Sequence, residues 1–82
     1  MLTTGYQLRA ARALIGMDQS ALAKRAGVNV NTIRNMERSA AGPIAGRAAY
    51  VQTVQAALEA AGVEFLNGDR PGVRLKEKPR RR

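Results

Sequence analysis

The twenty residues QSALAKRAGVNVNTIRNMER, Gln19 to Arg38, constrain the fold more than any other part of the chain. Apolar residues keep a helical spacing on both sides of a single glycine, with too few residues between them for anything but an abrupt turn. Leu22, Ala23 and Ala26 mark one short helix over about 19–26, capped by Asp18, and Val30, Ile33 and Met36 mark a second that runs from an Asn29 cap to about Arg38. Gly27 suits the residue between them, where a helix ends in a left-handed conformation. Two helices crossing at about 90 to 120° through such a turn leave no room for large groups where their backbones meet. Ala23 is small at that crossing, and Val28 and Ile33 are apolar where the turn and the second helix pack inward. Any small bundle needs Ala and Gly at close crossings, but all of these positions filled within one short window favour the bihelical unit.

Around this unit the pattern extends in both directions. Thr3 and Thr4 are good caps for a first helix over about 4–15, in which Leu8, Ala11, Leu14 and Ile15 recur at helical steps before Gly16 ends it. SAAGPIAG, residues 39–46, reads as a loop interrupted by Pro43, with Ile44 pinned to the core. A fourth helix over about 47–61 presents Val51, Val54, Leu58 and Ala61 and stops at Gly62. The period then changes to alternation: Val63, Phe65, Val73 and Leu75 fall on one side of a small hairpin, separated by the turn-forming NGDRPG. The last residues, 77–82, carry no apolar side chain and are expected to form a disordered basic tail. The expected organisation is thus a helical domain over 1–62, a hairpin over 63–76 and the tail.

Size and charge narrow the function. A chain of 82 residues makes one domain and buries only about 60 to 65% of its unfolded surface, so a second copy is a natural source of further burial. Cysteine and histidine are both absent, acidic residues total 6, and there is no phosphate-binding glycine loop or metal-ligand spacing; neither an enzyme nor a cofactor or metal site is expected. The opening MLTTGYQL has no signal-peptide pattern and no stretch is apolar enough for a membrane span, which points to a soluble cytoplasmic protein. The net charge is +8, from 14 Lys and Arg against those 6 acids, and suits a polyanionic partner. Charge alone does not choose between DNA, RNA and an acidic membrane, although Tyr6, Tyr50 and Phe65 do not sit in basic clusters as a base-stacking RNA surface requires.

The segment Gln19 to Arg38 resembles the helix-turn-helix of the Cro/CI-like (XRE) repressor family. LRAARALIGMDQ is similar to the family's opening helix, and ALEAAGVEFL followed by GVRL to the ending of many small members, so the resemblance spans roughly 4–75. It implies an all-α, lambda-repressor-like fold of four to five helices with a small C-terminal β-hairpin, and a sequence-specific DNA-binding transcriptional regulator, a repressor. In such folds the second helix of the unit reads base edges in the major groove. The positions matching the family's reading positions are Val30, Asn31, Arg34 and Asn35. Their chemistry fits: asparagine can pair bidentately with adenine, arginine with guanine, and valine can touch a thymine methyl. The resemblance also places a phosphate contact at Gln19, at the start of a helix whose free N–H groups favour an anion. Asn29 and Thr32 are in position to do likewise, and Arg38 and Arg47 flank the following loop as phosphate clamps. Asp18 is assigned to capping only. Arg12 and Glu37 match an arginine–glutamate pair that is structural in the family.

One such unit reads too few base pairs for specificity in a genome, which two copies on a palindromic operator overcome, with half-sites about 34 Å apart. A two-stranded hairpin is marginal alone and leaves open edges, so Phe65, Val73 and Leu75 are the expected homodimer contacts. A competing reading keeps the fold but uses it on protein: a regulator-binding module, or an antitoxin that also represses its own gene. Polar, groove-reading side chains on the third helix favour DNA.

Overall fold

Each of the first three helices starts at a side chain that satisfies one of its free N–H groups. In the computed structural model, which describes residues 1–44, 46–67 and 70–76, helix α1 spans Gly5–Ile15, α2 Gln19–Ala26, α3 Val30–Arg38 and α4 Ala48–Ala60. Thr4 and Gln7 form a reciprocal cap: the Gln7 N–H donates to Thr4 Oγ1 at 3.1 Å, and the Thr4 N–H donates to Gln7 Oε1 at 3.1 Å. Asp18 accepts from the Ala21 N–H at 2.7 Å and Asn29 from the Asn31 N–H at 2.7 Å. The stops are equally local, since α1 and α2 end at Gly16 and Gly27 with φ of 65° and 72°. Helix α4 differs in that Arg47, at its N-cap, makes no side-chain capping bond. The expected basic tail over 77–82 and part of the NGDRPG turn lie outside the described residues.

The bihelical unit packs as its small residues require. Helix α2 lies against α3 and α4, and α1 lies against α3. Leu8, Ala11, Leu22, Ile33, Met36, Val54, Leu58 and Val63 are fully buried, and Ala23 nearly so. Leu14 departs from expectation, being 41% exposed. At about 100° per residue it stands roughly 240° round the helix from Leu8, whereas Ile15 returns to the inner face.

Strands β1 (Val63–Leu66) and β2 (Gly72–Leu75) form the hairpin, antiparallel, with Val63 opposite Leu75 and Phe65 opposite Val73. Its apolar side is laid on α1, so Val63 is buried and Phe65 and Val73 pack half-buried against the chain's own core. Leu75, at the end of the register, remains 45% exposed. On the outer side Arg74 Nε meets Glu64 Oε1 at 3.0 Å, and that bond holds the Glu64 carboxyl below the ordinary glutamate range. Gln7 ties the hairpin to the start of α1: its Nε2 donates to the Leu66 and Gly72 carbonyls, both at 3.2 Å, while its Oε1 accepts from the Thr3 and Thr4 N–H groups.

The beginning of α1 sits directly on the end of α3. A Cβ at Gly5 would lie 2.6 Å from the Met36 carbonyl oxygen and 2.7 Å from both the Glu37 carbonyl oxygen and the Ala40 nitrogen, so only glycine fits. The Tyr6 N–H donates to the Ala40 carbonyl at 3.0 Å, and Ala40 adopts φ of 51° to present it. Beyond this corner the Ile44 N–H donates to the Thr3 carbonyl at 3.0 Å and its side chain packs on the core, as the loop pattern suggested. Among the described residues no helix is long and apolar enough to cross a membrane.

Candidate nucleic-acid interface

Helix α3 divides sharply into two faces. Ile33, Met36 and Glu37 are buried, whereas Asn31, Arg34, Asn35 and Arg38 are exposed in a row along the opposite side. Val30, at the helix start, is half-buried and packs against the core, so only part of it faces outward. The exposed side chains bond to one another one turn apart. Arg34 Nη1 donates to Asn31 Oδ1 at 2.8 Å and Arg38 Nη1 to Asn35 Oδ1 at 3.3 Å.

Glu37 is the hub that joins the three helices of the unit. Arg12, from α1, donates through Nε to its Oε2 at 2.6 Å and through Nη2 to its Oε1 at 3.0 Å; Gln19, from α2, donates through Nε2 to Oε1 at 3.0 Å. The Glu37 side chain is only 4% exposed and that of Arg12 17%. Hydrogen bonding to Glu37 raises the Arg12 pKa above the ordinary arginine value, partial burial opposes the rise, and the nearby charges of Glu37 and Asp18 add to it. The remaining nitrogen, Nη1, donates to the Met17 carbonyl at 3.1 Å, closing the turn before α2. The Arg12 and Glu37 side chains are thus joined by two hydrogen bonds across the helices.

Gln19, which the resemblance gives as a phosphate contact, stands at the first position of α2, where its amide is oriented by Glu37 and keeps one N–H to offer outward. Around it, Arg9, Gln19, Arg34, Glu37 and Arg38 line a single depression between α1, α2 and α3. Arg9 was not singled out from the sequence. It lies one turn before Arg12 on α1, with Nε 3.9 Å from Glu37 Oε1 and a side chain 66% exposed. That spacing was its available signal, since i and i+3 share a helix face. Because Arg12 already balances Glu37, the three other arginines leave the depression with excess positive charge and exposed donors.

The other expected phosphate groups are arranged differently. Asn29 uses its side-chain oxygen to cap α3, and the half-buried Thr32 donates its N–H to the Asn29 carbonyl at 2.9 Å. Arg47 stands apart at the start of α4, its guanidinium 5.8 Å from the centre of the Tyr50 ring.

A family model described as Helix-turn-helix matches residues 8–43, from within α1 to the loop after α3, and a comparison with curated proteins returns no match. The match takes in the whole bihelical unit, the Glu37 hub and the exposed row on α3, and over residues 8–43 the chain accordingly matches the Cro/CI-like (XRE) helix-turn-helix family of DNA-binding regulators.

Proposed function

We propose that this chain is a sequence-specific transcriptional repressor that lays α3 in the major groove and anchors itself on phosphates with the groups around the α2 N-terminus. The observation that carries the reading is the two-faced α3: its buried side is locked to α1 and α2 through Ile33, Met36 and Glu37, and its outer side is an unbroken row of hydrogen-bonding groups. Asn31, Arg34 and Asn35 then read base edges, with Val30 contributing the exposed part of its side chain to a thymine methyl. Gln19, Arg38 and Arg9 contact the backbone on one flank, and Arg47 does so from α4. Asn29 and Thr32 contribute at the start of α3, where the helix N-terminus favours an anion. Two copies bind a palindromic operator, joined through the hairpin region, and the protein works in the cytoplasm.

A gel shift with DNA from immediately upstream of its own gene, with salt and competitor varied, tests this directly. Arg34→Ala or Asn35→Ala should lose about 1 to 3 kcal/mol on the cognate site and little on random duplex. Equal losses on both would refute base reading.

A further inference from the structure

Each asparagine oxygen on the outward face of α3 already holds a donor. Asn29 Oδ1 takes the Asn31 N–H at 2.7 Å, Asn31 Oδ1 takes Arg34 Nη1 at 2.8 Å, and Asn35 Oδ1 takes Arg38 Nη1 at 3.3 Å. What the face still offers is a set of donors: the side-chain NH2 groups of Asn31 and Asn35 and the free N–H groups of Arg34 and Arg38. Bidentate pairing with adenine demands an acceptor for its amino group as well as a donor for N7, whereas guanine presents two acceptors, O6 and N7, side by side. A second lone pair on Asn31 Oδ1 does not restore the adenine pairing. The guanidinium already bonded there would confront the adenine amino group with donors and a full positive charge.

We infer that Arg34 reads a guanine in each half-site and that Asn31 acts as its positioning residue, holding the guanidinium edge-on to O6 and N7 rather than pairing with adenine itself. This rests on the reading of α3 as the groove-reading helix, and it reverses the pairing that asparagine chemistry alone would suggest for residue 31. A long arginine loses much conformational freedom when it docks, and a 2.8 Å bond to a neighbour one turn away removes part of that loss before DNA arrives.

Selection from a randomised duplex library with the full chain, followed by titration of the selected site, separates the possibilities, with thermal melts showing each variant to be folded. The wild type should enrich half-sites with a guanine facing α3, and replacing that base with 7-deazaguanine, which lacks N7, should weaken binding about 10-fold. Arg34→Ala should abolish the preference. Asn31→Asp supplies an acceptor to Arg34 and should keep guanine favoured even as overall affinity falls, while Asn31→Ala should relax the choice. Half-sites with adenine at that place, whose preference survives Arg34→Ala and disappears with Asn31→Asp, would overturn the inference and leave groove reading intact. Failure of the wild type to enrich any sequence would overturn both.

Discussion

Glu37 accepts three hydrogen bonds from two other helices while almost wholly removed from water, so the loss of a partner bears directly on stability. Removing Arg12 leaves a buried carboxylate with the Gln19 amide and only the exposed, more distant Arg9 to balance it, and breaking comparable buried pairs costs about 3 kcal/mol or more. Arg12→Met should therefore destabilise more than Glu37→Gln, whose neutral side chain still accepts hydrogen bonds, and the double variant should cost less than the sum of the two. Urea unfolding of the cycle checks this, and a coupling near zero would mean that the pair is not cooperative. The pairing was open to sequence reasoning through family resemblance. The third partner, Gln19, was not, because its reach to Glu37 depends on the crossing angle of α2 and α3. Arg9 escaped for the same reason: its one-turn spacing from Arg12 shows a shared face, but only the packing of α1 on α3 shows what that face looks onto.

At the level of elements, α4 and the hairpin carry the clearest tests. Helix α4 starts at Arg47 without a side-chain cap, and a serine there would supply one, worth about 1 kcal/mol. Since Arg47 is also proposed to contact a phosphate, Arg47→Ser should raise the melting temperature while making the salt dependence of DNA binding shallower by about one unit of slope. A variant that gained stability and kept the full slope would remove Arg47 from the interface. The hairpin's dependence on Gln7 is equally direct. Gln7→Ala leaves the Leu66 and Gly72 carbonyls and the Thr3 and Thr4 N–H groups without that partner, at about 1 to 3 kcal/mol, and amide exchange should quicken first in β1 and β2. Helix ends were readable almost to the residue, because Thr4, Asp18, Asn29, Gly16 and Gly27 act within a few positions of themselves. Alternation likewise exposed the apolar side of the hairpin but not its covering, which is α1, sixty residues distant in some contacts.

Over the whole molecule, that covering changes how a dimer must be sought. Phe65 and Val73 already pack against the internal core, so charge at either would destabilise the fold and could not by itself report on a dimer. Leu75, 45% exposed beside Leu14, Ile15 and Met17, is the hairpin residue free to meet a second copy. Sedimentation of the wild type at micromolar concentration should give about twice the 8.8 kDa chain mass, and Leu75→Asp should return it to the single-chain mass with a much weaker grip on the full operator. A wild-type chain that sediments singly and still binds a palindrome tightly would rule the dimer out. The seat of α1 on α3 at Gly5 bears on the duplex as well. Backbone meets backbone there at distances that admit no side chain, which seats the end of α3 closely on α1. On the proposed reading, a helix seated so closely leaves more of the adjustment on docking to the DNA. In the proposed two-copy complex, base steps that no side chain touches, those between the half-sites, would enter the affinity through their resistance to bending and twisting, a cost of about 1 to 6 kcal/mol for bends of moderate size. Selection would act on this protein's operators in part as on a spring, grading sites by how readily they yield as well as by the letters they present.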